Sequence, residues 1–310
     1  MAVYFDITKL PDFINPAITI GAFDGVHCGH LAILNEVVKH AADIGGESVV
    51  ITFDPHPRKV LFPDQPLKIL TPIKEKLKLI QSAGIKHIVV VPFTLQFAEL
   101  SAEAYIRSFL VENFHPKSIV IGYDHHFGHD RKGNIHLLQT LKPQYNYQVV
   151  EIPPQLISQA TISSTKIRDS LTKGNVLDAS RMLGRSYSIC GRVIHGHKLG
   201  RTIGYPTANI ELIDGDQLIP AKGIYVAQVR LGKELLGGML SVGFNPTVST
   251  EQILHIEVNI FNFDSDIYDQ EVEVFFLHWL RAEEKFSSLE ALKEQLLRDQ
   301  ENSLSYLSAL

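Results

Sequence analysis

Two stretches gather residues able to handle phosphate. In Gly21-Ala22-Phe23-Asp24-Gly25-Val26-His27-Cys28-Gly29-His30, the glycines at 21, 25 and 29 let the main chain approach an anion without a Cβ in the way. His27 and His30 are three apart, so their rings share one side of a helical turn. Two donors at a helix N-terminus, with its unpaired N–H groups and partial positive charge, would face a triphosphate. In the loop from His195 to Asn209, Gly196, Gly200 and Gly204 give freedom to wrap a polyphosphate, while Lys198 and Arg201 offset its charge. Thr207 and Asn209, two apart on an extended segment, project to the same side and offer hard oxygen ligands suited to Mg2+.

A third stretch, Ile162-Ser163-Ser164-Thr165-Lys166-Ile167-Arg168, places three hydroxyls at a helix start and two cations in its first turns. Taken alone it is an N-cap; hydroxyls, helix dipole and Arg168 together also make an anion clamp. Glu257 sits in an alternating strand, where an acidic residue by itself marks only the solvent face. Phe62 and Phe127 follow strand ends and could stack on a flat ring system or fill the core.

These residues need elements to position them. The apolar run Ala17–Ile20 and the helix-like run Leu31–His40 make the first stretch a strand-to-helix turn. The patterning predicts further strands at Ser48–Phe53, His87–Pro92, Ser118–Gly122 and Tyr147–Ile152, with helices at Ile73–Ala83, Ala102–Asn113 and Ile135–Leu141. Such alternation implies a parallel sheet covered on both faces, with ligands at the carboxyl ends of the strands near the switch point. One cleft could then collect the 21–30 turn, Thr52–Arg58 and Gly122–Gly128. From Tyr187 onward the pattern changes to short β-rich runs: Tyr187–Ile194, Gly223–Leu231, Leu235–Val242, His255–Phe261 and Glu271–Leu280. These imply an antiparallel barrel or sandwich, closed by an amphipathic helix at Ser288–Leu307. The boundary is placed at Gly184 and Arg185, giving domains 1–184 and 185–310.

A chain of 310 residues is comfortable for two domains, each with its own core. The net charge of −5 gives no general basic field, which argues against a nucleic-acid surface or an anionic membrane. Two cysteines far apart, Cys28 and Cys190, suit a reducing compartment, and Cys28 reads as a small filler because no base is dedicated to it. The N-terminus lacks signal-peptide features and no run approaches membrane-spanning length, so a cytoplasmic protein is expected, its oligomeric state open. His125, His126 and His129 suggest zinc, but adjacent histidines on an extended backbone point apart and no spaced partner completes a set.

The 21–30 string resembles the GxFDGxHxGH signature of the HxGH nucleotidyltransferases, in the form found in prokaryotic FAD synthetases. Ile162–Arg168 resembles their ISSTxIR motif, which closes over the triphosphate, and lies about 140 residues further on. Gly122, Asp124, Phe127 and Gly128 match their GxDFxFG segment, with His125 and His126 where the family has an aromatic and a basic residue. Gly204–Asn209 resembles the GxPTAN motif of riboflavin kinases, and that likeness continues through Ile256–Ile260, Asp266–Tyr268 and Leu280–Phe286.

The resemblance covers almost the whole chain and implies an α/β fold: a Rossmann-like nucleotidyltransferase domain with a parallel sheet, then an antiparallel β-barrel riboflavin kinase domain with a terminal helix. It implies ATP, riboflavin and FMN as substrates and Mg2+ at Thr207 and Asn209. Glu257 would be the general base on the ribityl 5′-hydroxyl. Gly196, Lys198, Gly200, Gly204 and Pro206 would follow the phosphates, with Arg281 and Phe286 on the flavin side. In the first domain His27, His30 and Arg168 would hold the triphosphate and stabilise charge as pyrophosphate leaves. Gly21, Phe23, Asp24, Phe62, Asp124, Phe127, Ser163, Ser164 and Thr165 would surround the ligands. Two other readings compete: an HxGH cytidylyltransferase, which leaves Gly204–Asn209 and Glu257 unexplained, and a flavin- or nucleotide-binding sensor without turnover.

Overall fold

Short runs rich in Val and Ile, buried along their whole length, build the first half. Every residue of β2 (Ala17–Ile20), β3 (Ser48–Phe53) and β5 (Ser118–Gly122) is buried, as a parallel sheet covered on both faces requires. The computed structural model describes residues 1–122, 125–152, 162–196, 200, 203–244 and 254–310. With β1 (Ala2–Tyr4), β4 (His87–Val91) and β6 (Gln148–Ile152) the strands form a six-stranded sheet of order β1-β4-β3-β2-β5-β6, all neighbours parallel. The order reverses at β2, which pairs with β3 on one edge and β5 on the other. The switch point therefore lies where β2 runs into the 21–30 turn.

Alternate residues of the strands feed two cores. Ile18, Ile51, Val89 and Ile119 pack with Tyr105 and Phe109; Ala17, Val50, Ile88 and Val120 pack with Leu34 and Val37 of α1 (Cys28–Asp43). Burying Leu34 or Val37 contributes about 1.5–3 kcal/mol each. Short helices α2 (Pro57–Leu61) and α4 (Leu95–Ala98) join α3 (Ile73–Ser82) in the connections. The helix expected at 102–113 is composite: α5 (Ala102–Ala104) runs through a π-helical stretch, Tyr105–Val111, into α6 (Glu112–Phe114). The wider turn buries Tyr105, Ile106, Phe109 and Leu110 together. α7 spans Ile135–Tyr145.

By its internal contacts the chain divides into Met1–Ser164 and Thr165–Leu310. Helices α8 (Ser164–Thr172), from its second residue, and α9 (Val176–Leu183) open the second unit, and α9 packs on the barrel strands, ending at Gly184 with φ +72°. The barrel is closed and antiparallel, in the order β10-β11-β8-β7-β12-β9. Its strands are β7 (Tyr187–Ile194), β8 (Ala208–Leu212), β9 (Gly223–Leu231), β10 (Glu234–Phe244), β11 (Leu254–Ile260) and β12 (Glu271–Arg281). α10 (Leu289–Ser308) starts at an N-cap where Ser288 accepts from the Ala291 N–H at 3.1 Å, and packs on β9 and β10.

Candidate active sites

In the first unit the turn after β2 is strained. Phe23 (φ +48°) and Val26 (φ +37°) both lie in the left-handed region around Gly25 (φ +86°), a conformation a β-branched residue adopts only when its surroundings impose it. His27 then caps α1: its Nδ1 accepts from the His30 N–H at 3.3 Å. An accepting Nδ1 puts the proton of neutral His27 on Nε2, making that edge a donor. The His27 and His30 rings stack with centroids 3.7 Å apart, and Phe23 meets His30 edge-on at 5.2 Å. The two imidazoles thus form one rigid pair on the first turn of α1.

Ser164, the first residue of α8, donates its hydroxyl to the Asp24 carbonyl at 2.9 Å. The two motif ends, 140 residues apart in sequence, therefore meet. Arg168 follows four residues later on the same face of α8. Ser163 is half-buried and Thr165 exposed. Phe62 caps the C-terminus of α2 at 49% exposure, open to a ligand. A Cβ on Gly21 would press on the Phe23 ring at 3.1 Å.

Two expected ligand contacts have other roles. The buried Asp24 carboxylate accepts from the Leu70 N–H at 2.9 Å and the Thr71 N–H at 3.1 Å, fastening that segment to the turn. Phe127 is a core residue, 6% exposed, with its ring 5.0 Å from Tyr105 and its backbone bridged to Gly133. A Cβ at Gly133 would collide with that ring. Asp124 lies outside the described residues. Lys76 of α3 escapes a reading by motif: it is buried beside the turn, donating to the carbonyls of Ala22 and Phe53.

In the second unit the strand register assembles the site. Cα partners run in one row from Arg281 on β12 through Ile224 on β9, Ser241 on β10 and Glu257 on β11 to Asn209 on β8. Directly paired residues point to the same face, and Ile256 and Val258 on either side of Glu257 are buried, so the row lies on the other face of the barrel wall. The Thr207 hydroxyl donates to Glu257 Oε2 at 3.0 Å, and Asn259 Nδ2 donates to the Pro206 carbonyl at 2.7 Å. Thr207, Asn209 and Glu257 are thereby collected as three oxygen-bearing side chains, a set that fits Mg2+ in chemical type.

Close packing shapes the loop before them. A Cβ on Gly196 would collide with the Asn209 amide, and one on Gly200 with the Tyr205 carbonyl. Gly204 has φ +89°. Lys198 and Arg201 lie outside the described residues.

Two cavities flank Thr207. One, about 360 Å3, is lined by Thr207, Ser241, Glu257, Arg281, Glu283 and Phe286; the other, about 440 Å3, by Thr207, Pro206, Phe263, Asp266 and Tyr268. Arg281 is held by Asp299 of α10, Nε to Oδ1 at 3.0 Å and Nη2 to Oδ2 at 2.7 Å, and its guanidinium lies 5.7 Å from the Phe286 ring centroid. Partial desolvation beyond the end of β12 raises the Glu283 carboxyl above its ordinary value, against the pull of Lys222.

Residues 11–166 match the family model for FAD synthetase and residues 183–307 the one for riboflavin kinase. A bifunctional riboflavin kinase/FMN adenylyltransferase of Listeria monocytogenes is 38% identical over 299 residues, covering 96% of this chain and 94% of the relative. The protein of the same description from Escherichia coli K12 is 35% identical over 91% of this chain and 90% of its own length. A crystal structure from Streptococcus pneumoniae described as a macrolide-efflux protein superposes with a TM-score of 0.86 at 33% identity, covering 97% of this chain and 98% of that one. Among the described residues no helix is long and apolar enough to cross a membrane.

Proposed function

The chain belongs to the family of bifunctional riboflavin kinase/FMN adenylyltransferases, and from that premise we propose how its residues divide the two reactions. It phosphorylates riboflavin to FMN with ATP and adenylylates FMN to FAD with release of pyrophosphate. The observation that carries the kinase assignment is Thr207, shared by two cavities and bonded to Glu257.

Riboflavin occupies the cavity with Glu257 and Phe286, and ATP the one with Tyr268. Glu257 accepts the proton of the ribityl 5′-hydroxyl as its oxygen bonds to the γ-phosphorus and the bond to ADP breaks. The Thr207 hydroxyl holds the Glu257 carboxylate in place. Thr207 and Asn209 would hold Mg2+, which when bound offsets charge on the transferring phosphoryl group. Gly196, Lys198, Gly200 and Gly204 follow the phosphates of ATP.

Adenylyl transfer needs no covalent nucleophile from the protein, because the FMN phosphate is one. Its oxygen bonds to the α-phosphorus of a second ATP and pyrophosphate leaves. His27, His30, the N-terminus of α1, Ser164 and Arg168 hold the triphosphate and meet the charge on the leaving group. We assign this reaction to residues 1–184 and phosphorylation to 185–310; by internal contacts α8 beyond Ser164 and all of α9 group with the barrel.

Incubating the protein with riboflavin, ATP and Mg2+ and separating the flavins over time tests this reading. FMN rising first and then converting to FAD is expected. Ligand binding without ADP or pyrophosphate release would favour a sensor.

A further inference from the structure

Lys76 is a buried cation that neither reaction above uses. Its helix α3 also carries Lys74 and Lys78, both exposed, yet Lys76 is only 5% exposed. Its Nζ donates to the Ala22 carbonyl at 3.2 Å and the Phe53 carbonyl at 3.0 Å. Ala22 lies in the turn that follows β2, and Phe53 is the last residue of β3, directly before Asp54–Arg58. The Thr52 hydroxyl reaches the same Ala22 carbonyl at 3.3 Å. One ammonium therefore joins the two loops that leave the carboxyl ends of adjacent strands, beside the switch point of the sheet. Burying an ammonium is expensive, and an apolar side chain on α3 would fill the space without that cost.

We propose that Lys76 is a positioning residue for adenylyl transfer, its ammonium clamping the 21–30 turn to the Asp54–Arg58 turn and setting a fixed positive charge beneath the triphosphate site. The inference rests on the assignment of adenylyl transfer to this unit. The charged groups facing Lys76 are Asp24 from the turn after β2 and Asp54 from the turn after β3; on its own helix Glu75 pairs with Lys78 at 2.8 Å. Burial brings the Lys76 ammonium down to about 8, with the two aspartates pulling the other way. Loss of that proton removes the charge and one of the N–H groups that clamp the loops.

The test uses the full-length protein and measures FAD formation from FMN between pH 6.5 and 9.5, with riboflavin phosphorylation by the same preparation alongside. In the wild type kcat for FAD formation is expected to fall above about pH 8, approaching tenfold per pH unit, without a matching fall in phosphorylation. Lys76→Arg, whose charge persists throughout, should retain activity at pH 7 and lose the alkaline fall. Lys76→Met should lower kcat for FAD formation about 100-fold at pH 7 while FMN affinity and phosphorylation stay within threefold. An alkaline fall unchanged in an active Lys76→Arg protein, or a Lys76→Met protein within threefold of wild type, would overturn the proposal. If Lys76→Arg does not fold, the Lys76→Met comparison decides, with near-ultraviolet circular dichroism reporting its fold. A wild type that forms no FAD at any pH would instead remove the adenylyl-transfer reading itself.

Discussion

Glu257 and Asn209 are direct cross-strand partners on β11 and β8, and Thr207, two residues before Asn209, bonds to the Glu257 carboxylate at 3.0 Å. Strand register thus sets Glu257 beside Asn209, and the Thr207 hydroxyl, one residue before β8, is tied to them by its bond to Glu257. If Glu257 takes the hydroxyl proton, Glu257→Gln keeps the shape and removes the basicity. Riboflavin phosphorylation should then fall by about 10²–10⁴ in kcat. Riboflavin affinity, measured by quenching of flavin fluorescence, should hold.

Gly196→Ala forces a Cβ into the Asn209 amide and displaces one of the proposed Mg2+ donors. A misplacement of about 1 Å can cost on the order of 100-fold, so phosphorylation should drop by that order while FAD formation from supplied FMN is unchanged. Equal losses in both activities would point to a folding defect instead.

Arg281→Ala strands the Asp299 carboxylate, 1% exposed, inside the packing of α10 on the barrel. Removing one member of a buried pair costs about 3–5 kcal/mol. Chemical denaturation followed by near-ultraviolet circular dichroism should show the second unit unfolding at lower denaturant, with the first unit's transition unmoved.

Lys76 also makes a stability prediction whose sign is fixed. Its folded value of about 8 lies below the ordinary 10.5, so between those values the unfolded chain binds the extra proton. Stability of the first unit should therefore rise as pH goes from 8 to 9.5, toward a limit of about 3 kcal/mol once the unfolded chain has also lost that proton. Above pH 10 buried Tyr147, pushed up to about 12, acts the other way. The rise, followed by chemical denaturation at each pH, should vanish in Lys76→Met.

Much of this was legible in the residues. Ser48–Phe53, Ser118–Gly122, Tyr187–Ile194 and Gly223–Leu231 are strands with the predicted ends, because continuous or alternating apolar runs bounded by turn residues have few other ways to fold. β1 escaped, being three half-buried residues at a sheet edge, and β8 escaped because five short residues follow a Gly- and Pro-containing loop. The side-chain roles were harder. Asp24 sits inside a ligand-binding motif but spends its carboxylate on the backbone of Leu70 and Thr71, and Phe127 matches a ligand-binding motif but packs on Tyr105. Lys76 looks like any solvent-facing lysine of an amphipathic helix; only the fold shows that its face meets the strand ends.

The central claim is that two separable sites carry the two reactions, and reciprocal single variants test it most directly. His30→Ala and Glu257→Ala are each incubated with ATP and Mg2+, once with riboflavin and once with FMN, and the flavins are separated over time. The expected result is that His30→Ala accumulates FMN without making FAD, while Glu257→Ala makes FAD from supplied FMN but leaves riboflavin unphosphorylated. Loss of both activities in either folded variant, or survival of both, would contradict it.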